Sequence, residues 1–483
     1  MAKRLKNYIG GEWVESSATT YTPVINPATC EVLGECPEST RADVDAAVKA
    51  AEEAFLEWRS TPILNRAQYM YRMKTILEER FEDLAEMVVK ENGKTRDEAR
   101  GEVRRGIESV DFAASVPVIM RNDGLEDIAS GIDETTVRQP VGVFAAITPF
   151  NFPAMVPLWF LPTAITCGNT FILKPSPQTP ISMDLMFEIL EDLDLPPGVV
   201  NLVHGGKDAA MAVMEHPGVK GVSFVGSSPV ARIVYETCTR HGKRVQAQGG
   251  AKNYIAVLPD ADMTASVKNI MGAAYGCAGQ RCLAAAVVVG VGDAYDRLRD
   301  ELVKQASNLR VGYGLNETTQ MGTVVSAAAK ERIERMISEG EQQGAKVLLD
   351  GRHSVVQGYE GGNFVGPTIV EGVKPENILA REEVFGPVLS MMKADDFDEA
   401  IEIINSSKYG NAASIFTTNG KYAREFKYRV NAGNIGVNIG VAAPSASFPF
   451  GGQKESFFGD LHGQGIDSIN FYTERKIVIE RWI

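Results

Sequence analysis

Between Val141 and about Gly226 the apolar positions fall in short, nearly continuous runs, "VGVFAAI", "TFILKP", "VVNLVHG" and "GVSFVG". Between them lie segments with helical spacing, such as "SMDLMFEILEDL" and "AAMAVMEH". A strand that is apolar at every position is buried on both faces, so the pattern predicts a parallel sheet with helices on each side. Upstream, residues 7–40 alternate short apolar stretches with turn signals ("GGEW", "NPATCE"), which suits extended strands or hairpins. A helical block follows. It opens on a Ser/Thr cap in "STRADVDAAVKAAEEAFLEW" and continues through "NRAQYMYRMKTILEERFEDLAEMVVKENG" and "TRDEARGEVRRGIESVDFAASV".

A second α/β unit runs from Lys252 to about Val441, with "AVVVGVG" and "SMMKAD" as strands and "AAAKERIERMISEGEQQG" as a helix. Two further segments read as β: "LEDIASGIDETTVRQP", a hairpin arm, and the tail "INFYTERKIVIERWI". Exposed strand edges are stable when another chain covers them, so these suggest a homo-oligomer, a dimer or a tetramer. The expected organisation is a cofactor-binding domain over 1–121 and 141–251, a catalytic domain over 252–441, and an oligomerisation arm and tail over 122–140 and 442–483.

Composition narrows the class. A chain of 483 residues, 44% hydrophobic and 23% charged, has material for two cores and no low-complexity tract. The net charge of -13 argues against nucleic acid or an anionic membrane as the main partner. The start, "MAKRLKNYIGGEW", lacks the apolar centre of a signal peptide, and no apolar run reaches membrane-spanning length. The cytoplasm is the expected location. The G-x-G-x-x-G dinucleotide fingerprint is absent after the strands, so the sheet pattern alone does not assign a cofactor.

"YGCAGQRCLAA", residues 275–285, poses three options for its two cysteines: a metal loop, a disulfide, or a nucleophile with an attendant charge. The six cysteines are scattered and no secretory signal accompanies them, which argues against a disulfide framework. Cys277 and Cys282 have neither a second pair nor paired histidines nearby, so no metal is expected.

Four blocks, "TPFNFP", "ILKPS", "FVGSS" and "EEVFGP", with "GGAKN" and "GQRC" between the last two, resemble the aldehyde dehydrogenase superfamily across essentially the whole chain. The resemblance implies an α/β fold with a Rossmann-type cofactor domain, an α/β catalytic domain and a small β oligomerisation element. It also implies that Cys282 is the nucleophile, forming a thiohemiacetal and then a thioester. Asn151 would donate, with the backbone N–H of Cys282, to the oxyanion. Lys174 would bind the adenosine ribose, Gly226 and Ser227 would face the pyrophosphate, and Glu383 would hold the nicotinamide ribose. Thr148, Phe150, Ser176 and Phe385, from the same blocks, complete the implied cofactor site.

Two departures sharpen the reading. Hydrolytic members carry a glutamate where "QAQGGAKN" has Gln248, and a glutamine amide accepts no proton at neutral pH. Without that base the acyl group waits for a better nucleophile, such as a thiol. The chain is similar in detail to the CoA-acylating methylmalonate-semialdehyde dehydrogenase branch, through "TPFNFPAMVPLWF", "GGAKN", "GQRC", "SFFGDLHGQG" and "NFYTERK". That branch implies malonate or methylmalonate semialdehyde as substrate, coenzyme A as cosubstrate, and Arg105 and Arg281 as the cations for the substrate carboxylate. The alternatives are a non-acylating dehydrogenase that releases the free acid and a catalytically silent homologue. The second departure is Pro177, where NAD-using members commonly have a ribose-binding glutamate; NAD remains the expected cofactor, with NADP tolerated.

Overall fold

The computed structural model describes residues 3–483. The helical block behaves as its caps require. Thr40 and Thr95 each close a reciprocal capping box, with Asp43 and Glu98 respectively, and start the helices Arg41–Trp58 and Arg96–Ala114. The long amphipathic stretch between them divides at Arg80 into Ile63–Glu79 and Phe81–Asn92, and the second part ends on Gly93 in the left-handed conformation.

The apolar runs form the centre of an eight-stranded sheet. Its parallel strands lie in the order Val200–Leu202, Thr170–Lys174, Val143–Ile147, Val219–Val225, Arg244–Gln248. The chain winds outward from Val143–Ile147 in one direction through two strands, then returns to its other side. Strand order therefore reverses between Val143–Ile147 and Val219–Val225, and the carboxyl ends of the strands open a crevice at that point. One face of the sheet packs on the helix Met155–Thr166, which is buried along its whole length and is itself covered by Arg96–Ala114.

The second unit is a seven-stranded sheet, parallel except at its edge pair Lys346–Leu349 and Thr368–Glu371. Its centre is Val388–Ala394, Ala285–Val291, Asn253–Val257 and Ala412–Phe416. Here the loops leading into the strands carry Glu383 and Cys282, and Asn253 is the first residue of its strand, so the two sheets meet carboxyl end to amino end.

The arm folds as the hairpin Gly124–Ala129 and Ile132–Pro140, and the tail Thr473–Arg481 pairs antiparallel with the hairpin's second strand. "INFY" within the tail differs from the extended reading: it completes the helix Gly465–Tyr472, because Phe471 and Tyr472 pack edge-on against Phe144 in the first core. Burial there overrides local β preference. Residues 442–472 also pack largely with the first unit, Phe457–Phe458 adding a strand beside Arg244–Gln248. Among the described residues no helix is long and apolar enough to cross a membrane.

Candidate active site

A cavity of about 1120 Å³ lies in the crevice between the two sheets. Ten of the residues singled out from the sequence line it: Cys282, Asn151, Thr148, Phe150, Lys174, Ser176, Gly226, Ser227, Glu383 and Phe385. They come from both units, and the topology explains the meeting. Thr148 to Asn151, Lys174 and Gly226 stand at carboxyl ends of the first sheet, whereas Cys282 and Glu383 precede strands of the second.

Cys282 is half-buried and all six cysteines are free thiols. Burial, reinforced by the Glu383 carboxylate, pushes its thiol up to about 12, against the backbone N–H groups of Cys282 and Leu283 and the charge of Arg281. Two asparagine amides hold the backbone behind it: Asn253 and Asn411 both donate to the Cys282 carbonyl, at 2.9 and 2.7 Å. Ahead of it, Gln280 accepts the Val325 N–H at 3.0 Å and donates to the Cys277 carbonyl.

The buried Asn151 amide donates to the Gln280 carbonyl at 3.0 Å, leaving its second N–H for another acceptor. Its loop is fixed from behind by Lys94, which is fully buried. The Lys94 Nζ donates to the Asn151 carbonyl at 2.7 Å and pairs with Glu102 at 2.5 Å. Glu102 in turn accepts the Ala154 and Met155 N–H groups at the start of the helix Met155–Thr166. A buried charge pair with its remaining hydrogen-bonding sites filled in this way is a rigid mount.

Toward the other end, burial lowers the Lys174 ammonium to about 8, and its Nζ donates to the carbonyls of Pro175 and Gly205 at 2.8 and 2.6 Å. One of its three N–H groups is left over. Thr148 presents a buried hydroxyl with no protein partner. Ser227 caps the helix Ser228–Arg240 without using its side chain. Gly226 differs from its expected role: its N–H donates to the Gln248 carbonyl at 3.0 Å, extending the sheet ladder, so any anion contact at this turn falls to the residues after it. The space above Gly226 and Gly250 is nonetheless closed to larger residues, since a β-carbon there would strike Phe224 or Glu383. Burial raises the Glu383 carboxyl to about 7, opposed by the Ala251 N–H at 2.9 Å, by Lys252 and by Arg332. Phe385, at a φ of 53°, sets its ring edge-on to Phe150 at 5.8 Å. A long crevice with a leftover cation N–H, an orphaned hydroxyl, a helix start and a carboxylate fits a dinucleotide.

Three expected residues do not line this cavity. Gln248 ends its strand with its side chain buried and neither amide atom paired, against Gly463. Arg281 turns beneath the loop and lies 3.5 Å from Glu98, with its Nε buried and unpaired. Arg105 donates to the Pro444 carbonyl and lies 3.5 Å from Glu108. In this arrangement both arginines have intramolecular acceptors. Pro177 and Gln178, by contrast, do border the cavity beside Ser176.

Sequence reasoning passed over Lys94, Glu98, Glu102, Asn253 and Asn411. Asn253 lies inside the quoted "GGAKN" block, and Glu98, Glu102 and Arg105 share one helical face through i, i+4, i+7 spacing. That spacing was readable; its direction toward the site was not. Asn411 carries no local signal. Among the described residues no group of three or more His, Cys, Asp or Glu could hold a metal ion.

Comparison with known proteins agrees with this architecture. The model of the "Aldehyde dehydrogenase family" matches residues 13–478. The chain is 49% identical over 478 residues to malonate-semialdehyde dehydrogenase 2 of Geobacillus kaustophilus, covering 99% of each chain. It is 47% identical over 480 residues to malonate-semialdehyde dehydrogenase of Halalkalibacterium halodurans, again covering 99% of each. Among solved structures, a Sinorhizobium meliloti protein, provisionally assigned as a methylmalonate-semialdehyde dehydrogenase and solved with NAD, superposes with a TM-score of 0.98 at 42% identity, covering 100% of this chain and 99% of the other. The methylmalonate-semialdehyde dehydrogenase of Oceanimonas doudoroffii matches with the same TM-score at 41% identity, over 100% and 99% of the two chains. With the family model matching nearly the whole chain and full-length relatives at close to half identity, the chain belongs to the aldehyde dehydrogenase family.

Proposed function

We propose that this protein oxidises malonate or methylmalonate semialdehyde to the acyl-CoA, with NAD as electron acceptor and loss of the substrate carboxylate as carbon dioxide or bicarbonate. The single observation that carries the acylating step is Gln248: the position of the hydrolytic base holds a buried amide with no proton-accepting capacity at neutral pH. The names of the relatives support the substrate class.

Cys282, once ionised, adds its sulfur to the aldehyde carbon, forming the C–S bond while the carbonyl π pair moves to oxygen. The second N–H of Asn151 and the N–H of Cys282 receive that charge from fixed positions. A nicotinamide bound in the crevice supplies the hydride acceptor. Collapse of the oxyanion restores the carbonyl as the C–H pair departs, leaving a thioester on Cys282. Lys174, Ser176, Ser227 and Glu383 orient the dinucleotide, and Thr148, Phe150 and Phe385 line its path. The C–C bond to the carboxylate then breaks as carbon dioxide leaves; its electron pair passes to the thioester carbonyl as an enolate, which takes a proton at carbon. The CoA thiolate then attacks the thioester, and Cys282 leaves with its electron pair.

Arg105 and Arg281 bind the substrate carboxylate in this reading, Arg105 in place of the Pro444 carbonyl and Arg281 through N–H groups not directed at Glu98. The hairpin and tail, whose outer surface exposes Leu125, Ile477, Ile479 and Trp482, join copies of the chain into a dimer or tetramer. The cavity wall at Pro177 has no carboxylate to repel a 2′-phosphate, so NADP is a tolerated cofactor. The enzyme acts in the cytoplasm, where its nucleotide and CoA pools reside. Purified protein assayed with each semialdehyde, with NAD or NADP, with and without CoA, tests the proposal. Cofactor reduction that requires CoA and yields acetyl- or propionyl-CoA supports it; steady turnover to the free acid without CoA assigns a hydrolytic dehydrogenase using another base, such as Glu383.

A further inference from the structure

The turn ahead of Cys282 is held by a residue outside its own loop. Cys277 and Ala278 both adopt positive φ, 51° and 50°, where residues bearing a β-carbon are disfavoured. Their glycine neighbours are sterically required: a β-carbon on Gly276 would overlap the Arg281 guanidinium, and one on Gly279 the Gly386 carbonyl. A backbone of this kind persists where its surroundings over-determine it.

The outside contact is Glu98. Its Oε1 accepts the Cys277 N–H at 2.6 Å and lies 3.5 Å from Arg281, while its Oε2 accepts the Thr95 N–H at 2.9 Å within the capping box. One carboxylate thus joins the first turn of Arg96–Ala114 to the loop that delivers the nucleophile. Glu98 is largely buried and does not line the cavity. On the next turn of the same helix face, Glu102 mounts the Asn151 loop through Lys94, so the two reacting elements share one support.

We propose that Glu98 is a positioning residue for the nucleophile: it fixes the left-handed turn at Cys277 and holds Arg281 beneath the loop, which sets where the Cys282 sulfur stands and how much cationic charge it meets. The charged groups facing Cys282 are Glu383 and Arg281; those facing Cys277 are Arg281, Glu98 and Lys94. The inference rests on Cys282 being the nucleophile, which loss of semialdehyde oxidation in Cys282→Ser, with dinucleotide binding retained, checks separately.

The test is alkylation of the full-length protein by iodoacetamide over a range of pH, with each cysteine followed by peptide mass mapping. Glu98→Gln keeps an oxygen for the Cys277 N–H and removes the charge. The expected result is a fall of about half a pH unit or more in the midpoint for Cys282, because Arg281 is no longer compensated. Cys277, buried in the turn, is expected to label about tenfold faster or more as the turn loosens. Glu98→Asp restores the charge with a shorter reach, returning the Cys282 midpoint while Cys277 labelling stays raised. A Cys282 midpoint within about 0.2 unit of the parent in Glu98→Gln, with Cys277 labelling unchanged, overturns the proposal. Should Glu98→Gln not fold, Glu98→Asp decides: raised Cys277 labelling supports the anchoring role and parental labelling refutes it. Parental activity in Cys282→Ser instead refutes the catalytic reading, leaving the Cys277 labelling to decide the anchoring of the turn.

Discussion

Asn151 donates its side-chain amide to the carbonyl of Gln280 across 3.0 Å, two residues before Cys282. The proposed oxyanion donor is thereby bonded to the loop of the proposed nucleophile, and one of its two N–H groups is left with a fixed direction. Donors fixed before the reaction stabilise developing charge without reorganising. Asn151→Ala is expected to lower kcat by about 10²- to 10³-fold while leaving the cofactor KM nearly unchanged. Steady-state kinetics check this; a loss confined to KM would contradict it.

The thiol of Cys282 is held high by burial and by Glu383, so its reactivity rises with pH through the alkaline range. Glu383→Gln removes a negative charge beside the sulfur, which lowers the thiol's pKa and increases the thiolate fraction at any given pH. Alkylation of Cys282 at pH 8 is expected to accelerate about threefold or more, while the KM for the dinucleotide rises. Unchanged alkylation would mean that the two groups do not sense each other.

Next to Gly205, whose carbonyl accepts from Lys174, the fully buried His204 meets Asp184 at 2.6 Å. Burial alone would depress the imidazolium, but Asp184 overcomes it and the group rises to about 10. The folded-state value lies above the unfolded value of about 6.5. The pair's stabilisation is therefore complete below pH 6.5 and is lost as pH rises toward 10. Thermal unfolding should show Tm falling across that window in the parent. Asp184→Asn, which leaves a buried histidine unpaired, should cost about 3–5 kcal/mol at pH 6 and flatten this dependence.

Gln248→Glu places a carboxylate at the end of the strand Arg244–Gln248, beside the cavity-lining Gly249 and Gly250. The variant is expected to gain hydrolysis and to reduce cofactor without CoA. Product analysis in the absence of CoA measures this. No gain in free acid would show that the missing base is not what directs the acyl group to CoA.

The near-continuous apolar runs from Val143 to Val225 determined the first sheet by themselves, because a strand without polar positions has no solvated face to offer. The motif blocks likewise identified most of the cavity wall, since each lies at a strand end where backbone geometry leaves little choice of neighbour. Legibility was lost where partners are far apart in the chain. Glu98 and Cys277 are 179 residues apart and Asn411 and Cys282 are 129 apart, and no periodicity couples such positions. Arg281 shows the same limit: its place before Cys282 was plain from "GQRC", but only the packing of Arg96–Ala114 against the loop supplied the carboxylate that receives it. Local sequence determined which groups are present and on which elements. The tertiary structure decided which charges face one another, because that depends on how two separately wound sheets are brought together.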